Sequence, residues 1–142
     1  MRVELLDWEA ARPLAAPIRF AVFVEEQKVP EEAEIDERDP HCVHALAWSD
    51  DGRPLGTGRL LPDGHIGRMA VLRQARGSGV GSALLRALMQ AARRRGDREL
   101  MLSAQTHAIG FYERFGFVAE GEQYDDAGIP HRAMRLVLQG FS

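Results

Sequence analysis

The glycine-rich stretch Arg76-Gly77-Ser78-Gly79-Val80-Gly81-Ser82 constrains the fold of this chain more than any other feature. It separates two segments of different period. His65 to Val71 reads as a strand, opened by the turn signal Asp63-Gly64. Residues 79–95 carry Val80, Leu84, Ala87, Leu88 and Ala91 as one apolar stripe, with Ser82, Arg86, Gln90 and Arg93 opposite, the pattern of an amphipathic helix. Arg93 to Arg95 occupy its last turn, where the helix dipole favours cations, and Gly96 follows as a cap. Leu100 to Ala104 is a short apolar strand. Strand, helix and strand in this order form a βαβ unit. Segments 65–71 and 100–104 are therefore expected to be parallel, joined by a right-handed crossover.

The flanking sequence builds outward from that unit. Residues 2–6 alternate weakly as a first strand. Residues 9–24 place Leu14, Ile18, Ala21 and Val22 on one side of a helix, which Pro13 and Pro17 are expected to delay or kink. Residues 25–39 hold Glu25, Glu26, Glu31, Glu32, Glu34, Asp36, Glu37 and Asp39 against Lys28 and Arg38, a polar and partly irregular segment. Val43 to Trp48, Pro54 to Leu61 and residues 65–71, separated by Asp51-Gly52 and Asp63-Gly64, read as a three-stranded antiparallel meander. Residues 107–115 form a short helix ended by Gly116. Strands 117–124 and 131–138 follow, joined by Asp125-Asp126-Ala127-Gly128. The order predicts an α/β fold of the mixed α+β kind. It has a single mixed, mostly antiparallel sheet flanked by helices, with a central parallel βαβ unit, in one domain spanning residues 1–142.

Charge and cysteine usage exclude several classes. The net charge of −3 does not suit coating nucleic acid or an anionic membrane. The single cysteine, Cys42, forms no internal disulfide, so a reducing cytoplasm is the expected compartment. The opening residues carry acids within their apolar run, unlike a signal peptide, and no apolar stretch approaches the roughly 20 residues of a membrane helix.

A glycine loop at a helix start is a place for phosphate. Helix N-termini expose unpaired N–H groups and positive partial charge, glycines admit close approach, and Arg76 adds a fork of donors. A P-loop would require Lys and then Ser or Thr after the last glycine, where Ser82-Ala83 stands. A Rossmann fingerprint would require Gly at position 82 and an acid at the end of the next strand, whereas Asp97 precedes that strand. A coenzyme A loop of the form Arg/Gln-x-x-Gly-x-Gly/Ala is matched in full by Arg76-x-x-Gly79-x-Gly81. The bland alternative is a turn whose glycines only let the helix pack tightly.

About thirty residues downstream runs Ala104-Gln105-Thr106-His107-Ala108-Ile109-Gly110-Phe111-Tyr112-Glu113-Arg114-Phe115-Gly116-Phe117. With the loop, this segment resembles the GCN5-related N-acetyltransferase (GNAT) superfamily over roughly residues 18–138. Phe23-Val24-Glu25-Glu26-Gln27, the acidic run to Asp36 and Asp39, His44, and Gly128-Ile129-Pro130-His131 are similar to its ElaA/YjcF-like branch.

The resemblance implies a GNAT-like fold and an acetyl-CoA-dependent N-acetyltransferase that moves acetyl directly to a primary amine of a small molecule or peptide. It implies that Arg76, Gly77, Ser78, Gly79, Val80, Gly81 and Ser82 hold the pyrophosphate. The backbone of Met69, Ala70 and Val71 would pair with the pantetheine arm where the two parallel strands splay. An N–H near Ala70 or Val71 would polarise the acetyl carbonyl. Tyr112 matches the residue that faces the departing sulfur, and its hydroxyl would donate to the thiolate; its ring is alternatively core packing beside Phe111 and Phe115. Gln105 stands where many members place an asparagine that contacts the cofactor arm.

The proton acceptor for the amine is less defined. Glu26 is the first candidate, with His131 and His44 as others. Phe23, Glu26, Asp36 and His131 are the expected acceptor-binding residues. If the acidic run borders the acceptor cleft, it favours cationic amines. Cys42 is expected to be inert packing. His41, Cys42 and His44 fall short of a four-ligand zinc site, and no metal is expected. No nucleic-acid or membrane partner is expected, and a homodimer is left open. The alternative function is a non-catalytic acyl-CoA-binding or sensor domain on the same fold.

Overall fold

The structure is a computed structural model and describes residues 1–138. Its sheet has seven strands: β1 (Arg2–Leu6), β2 (Val43–Trp48), β3 (Pro54–Leu60), β4 (His65–Val71), β5 (Glu99–Gln105), β6 (Val118–Asp126) and β7 (Ile129–Val137). Their order across the sheet is β1-β2-β3-β4-β5-β7-β6. Every neighbouring pair is antiparallel except β4 and β5, which are parallel. The mixed sheet with one parallel βαβ unit expected from the sequence is thus the sheet observed.

Four α-helices flank it: α1 (Trp8–Arg19), α2 (Glu31–Glu34), α3 (Val80–Arg95) and α4 (Ile109–Glu113). The sheet's period of two divides the core. On β2, Ala45 and Ala47 join the cluster of Leu84, Leu85 and Leu88 of α3, while Leu46 between them joins Ile18 of α1. The small residues on β3 let α3 lie close. A Cβ at Gly56 would stand 2.9 Å from the Ala70 carbonyl oxygen and 3.0 Å from Leu84 and Val80. None of the helices among the described residues is long and apolar enough to cross a membrane.

Several boundaries differ from the sequence expectation. Helix α1 begins at Trp8 and runs through Pro13 and Pro17. Asp7 caps it, its carboxylate accepting from the Ala10 N–H at 2.9 Å. Burial of Trp8, Ala11, Ala15 and Ile18 outweighs the backbone bonds that the two prolines forgo. The helix then widens into a π-helical stretch over Phe20–Glu26 instead of stopping at residue 24. The acidic segment contains α2 and a 3₁₀ turn, Asp39–His41. The expected helix 107–115 is a 3₁₀ turn, Thr106–Ala108, followed by α4. Strands β6 and β7 meet in a two-residue turn at Ala127 and Gly128, whose φ values of 53° and 78° both lie in the left-handed region, which explains the glycine there.

Candidate active site

Strands β4 and β5 pair at His65 with Met101 and Ile66 with Leu102, the start of β4 against the middle of β5. Beyond Ile66 they part, because β4 bulges. Thr57 of β3 faces Ala70 and Arg59 faces Gly67, so the register shifts between them, and Arg68 sits at a φ of 49°. A cleft of about 580 Å³ opens in the resulting V. Met69, Ala70 and Val71 line one wall and Ser103 and Gln105 the other. The π-helical stretch crosses the mouth of the V with Val22, Phe23, Glu26 and Gln27. The Gln105 side-chain amide donates to Gln27 Oε1 at 2.9 Å, which ties that stretch to the end of β5.

The glycine loop stands at one end of the cleft. Gly77 and Gly79 have φ values of 81° and 85°, and nothing lies within 4 Å of a Cβ built on either. Gly79 is the N-cap of α3 and no side chain caps the helix, so the N–H groups of its first turn have no side-chain acceptor among the described residues. Gly81 packs against Phe111. The loop therefore combines the two readings of its glycines: Gly81 serves packing, and Gly77 and Gly79 keep a cradle open.

Arg76 points toward the same end but is held. Its Nε donates to the Val71 carbonyl at 3.0 Å, and its guanidinium makes a bidentate pair with Glu26 at 2.8 and 3.0 Å. The hydrogen bond from Arg76, aided by Arg73, holds the Glu26 carboxyl below the usual glutamate range. A carboxylate so paired is a weak proton acceptor, contrary to the expectation for a base.

Tyr112 of α4 lines the cleft. Its ring packs edge-on against Phe111 and Phe117 at 5.0 and 6.0 Å, so the aromatic neighbours fix its direction. Its hydroxyl makes no hydrogen bond among the described residues, and burial pushes its pKa up to about 12. The group is a committed proton donor at neutral pH.

His131 lines the same cleft, and its Nδ1 lies 2.7 Å from the Ile129 carbonyl. A carbonyl only accepts, so Nδ1 carries a proton, and in the neutral ring Nε2 is the nitrogen with the lone pair. His44 does not reach the cleft. It is 1% exposed, stacks at 4.8 Å on Trp8, and donates from Nε2 to the Asp39 carbonyl. Burial lowers its pKa, so it is a neutral core residue rather than a base. Cys42 is buried too, its thiol donating to the Arg38 carbonyl at 3.2 Å, and burial raises its pKa.

Asp36 is the clearest departure from the sequence expectation. Its carboxylate pairs with Arg59 at 2.7 and 2.9 Å and with Arg68 at 3.4 Å, and it does not line the cleft. The Arg59 hydrogen bond drives its pKa well below the aspartate range. Behind it, Arg19 is fully buried and binds Glu34 and both oxygens of Asp39, the latter at 2.9 and 3.1 Å. The acids of residues 25–39 that reach the cleft are Glu26 and Glu34, and arginines neutralise both. The sequence reading passed over Arg19, Arg59 and Arg68, the cations that consume this charge.

Residues 12–138 match the family described as the acetyltransferase (GNAT) domain. The chain belongs to the GNAT family. The uncharacterized N-acetyltransferase YjcF of Bacillus subtilis is 40% identical over 121 residues, 82% of this chain and 86% of that one. The crystal structure of Escherichia coli ElaA superposes with a TM-score of 0.85 at 29% identity, covering 95% of this chain and 99% of the other. An acyl-CoA N-acyltransferase from Pseudomonas aeruginosa gives 0.84 at 34% identity over 95% and 99%. The ElaA/YjcF-like branch read from the sequence is thus where this GNAT chain lies. Its activity is that of the family, transfer of an acyl group from a coenzyme A thioester to an amine.

Proposed function

We propose that this enzyme transfers acetyl from acetyl-CoA to a primary amine within the V between β4 and β5. The observations that carry the reading are the open cradle of Gly77 and Gly79 at the uncapped start of α3, next to Arg76 on the cleft wall, and the Tyr112 hydroxyl in that cleft, which has no partner among the described residues. The loop N–H groups from Gly77 to Ser82 bind the pyrophosphate, and Arg76 assists once it exchanges Glu26 for phosphate. The edge of β4 at Met69, Ala70 and Val71, which β5 leaves unpaired, accepts the pantetheine arm. An N–H at Ala70 or Val71 stabilises the developing oxyanion.

In the reaction, the amine nitrogen bonds to the thioester carbon, the carbon–sulfur bond breaks, and the amine gives up one proton. His131 Nε2 takes that proton, since the residue lines the cleft and its Nδ1–H is committed to Ile129. Tyr112 donates a hydrogen bond to the departing thiolate. Full proton transfer is not required, because a thiol with a pKa of about 8.5 is the stronger acid.

The test is amine-dependent release of free CoA thiol from acetyl-CoA, compared with longer acyl-CoAs. Release that needs no amine, or acetyl-CoA binding without turnover across a broad amine panel, would favour a sensor domain. Gly79→Val should weaken acetyl-CoA binding at least about tenfold in a calorimetric titration. A β-branched side chain both resists a φ of 85° and fills the cradle. Unchanged affinity would remove the loop from the site.

Glu26 and His131 separate in one experiment. Glu26→Gln should tighten acetyl-CoA binding about three-fold or more with kcat nearly unchanged, because it frees Arg76 and removes a negative charge beside the phosphates. His131→Asn should lower kcat on the order of 10²-fold with acetyl-CoA affinity nearly unchanged. The reverse pattern would make Glu26 the base.

A further inference from the structure

Tyr124 of β6 is built against a residue of the cleft wall without being part of that wall. Strand β7 lies between β5 and β6, and His131 has Gln105 on one side and Tyr124 on the other as its cross-strand partners. Partners across a ladder share one face of the sheet, so the three side chains form a row. Gln27 holds Gln105 at one end of the row. At the other end the Tyr124 ring stacks on the imidazole, with centroids 6.0 Å apart and planes 24° from parallel. The Tyr124 hydroxyl hydrogen-bonds to Ser103 of β5, so the side chain reaches across β7 and is tied down beyond it. The β7 residue opposite Ser103 is Ala133, whose small side chain leaves room for the crossing.

The ladder is distorted to bring this about. Glu120 pairs with Ala133 and Tyr124 with His131, so β6 takes four steps where β7 takes two. In a regular ladder Glu122 would stand opposite His131; the two extra residues put Tyr124 there instead. Gly121 turns the bulge at a φ of 73°, and Arg132 fixes it by donating from Nε and Nη2 to the Gly121 carbonyl at 3.2 and 2.8 Å. Core packing does not account for the placement, because Tyr124 is 43% exposed while His131 beneath it is buried.

We infer that Tyr124 is a positioning residue for acyl transfer: braced by Ser103, it holds the His131 imidazole in the orientation that keeps Nδ1–H on the Ile129 carbonyl and leaves Nε2 to accept the proton of the amine. This role presupposes His131 as the proton acceptor proposed above. The hydrogen bond to Ile129 does not fix the ring by itself, since the outer torsion of a histidine side chain is broad and roughly two-fold. A ring stacked against the imidazole, with Gln105 as the neighbour on the other side, removes that freedom. Misplacement of a reacting group by about 1 Å can cost on the order of 10²-fold in rate, so a brace of this kind is felt in turnover.

The test has two arms, both on the full chain. In the first, protein labelled with ¹⁵N at histidine is examined by NMR in alkaline buffer, with His131→Asn assigning the signal. The wild type should show His131 as the Nδ1–H tautomer alone, and Tyr124→Leu should show both tautomers. In the second, kcat is measured with acetyl-CoA and the amine that gives the fastest thiol release. Tyr124→Leu should lower kcat about tenfold, with the KM for acetyl-CoA and the melting temperature nearly unchanged. Tyr124→Phe keeps the ring and should lose only about threefold; Ser103→Ala should match it, and the two together should lose no more, because they break one hydrogen bond. On a His131→Asn background Tyr124→Leu should have no further effect. Wild-type kcat or an unchanged single tautomer in Tyr124→Leu overturns the inference while leaving His131 as proton acceptor. A tenfold loss that persists on the His131→Asn background overturns it as well. Unchanged kcat in His131→Asn itself overturns the proton-acceptor reading, and the inference with it.

Discussion

Asp39→Ala is expected to destabilise the protein by about 3–5 kcal/mol, the cost of removing one member of a buried charge network. The Asp39 side chain is fully buried and receives hydrogen bonds from Arg19, Arg59 and the Asp36 N–H. Its loss leaves two buried guanidinium groups each short of one carboxylate. Against a typical total stability of about 5–15 kcal/mol this is a large share, and the melting temperature should fall by on the order of 10 °C. The same network sets the acid limit. Burial alone would raise the Asp39 carboxyl, but Arg19 and Arg59 outweigh it and hold it low, and Asp36 is held low by Arg59. Groups with depressed folded values contribute fully above the unfolded aspartate range, about pH 4, and lose that contribution as pH falls through the lower folded values. Urea midpoints across pH 3–7 for the wild type and Asp39→Ala check both points. Equal midpoints for the two proteins would show that the network is dispensable.

Tyr112→Phe is expected to lower kcat on the order of 10²-fold, with acetyl-CoA affinity and melting temperature nearly unchanged. The ring contacts with Phe111 and Phe117 survive the substitution, and the hydroxyl makes no hydrogen bond among the described residues, so its loss is felt only when charge develops in the cleft. Because burial raises the Tyr112 pKa to about 12, the wild-type rate should show no alkaline loss from this group below that pH. Steady-state kinetics with pH variation decide the matter. Wild-type turnover in Tyr112→Phe would leave the residue a packing role alone.

The sequence made the donor half of the cleft more legible than the acceptor half, for a physical reason. A cradle built from Gly77, Gly79 and Gly81 at a helix start is a local object, and its spacing is visible within a few residues. The βαβ unit is local in the same sense, since a period of two changes to a helical stripe and back. The role of Asp36 depends on Arg59 and Arg68, 23 and 32 residues away, and a carboxylate awaiting solvent reads the same in a sequence as one awaiting a buried arginine. Arg19 sits in a stretch whose apolar spacing drew attention to Ile18 and Val22 and hid a cation at the centre of the fold. The prolines of α1 misled for the opposite reason: their local cost is real, but it is small beside the burial that the helix gains.

The short pairing of β4 with β5 also divides the sheet mechanically. On one side lies the ladder from β1 to β4, on the other the ladder of β5, β7 and β6, and among the described residues the two are paired at His65 with Met101 and Ile66 with Leu102. Helix α3 bridges the two, and the Gln27–Gln105 amide pair closes the far end like a clasp. The seam therefore has fewer ladder pairs to hold it than the other strand junctions of the sheet. Whatever lies along it stitches two half-sheets into one, so occupancy and resistance to unfolding rise together by mass action.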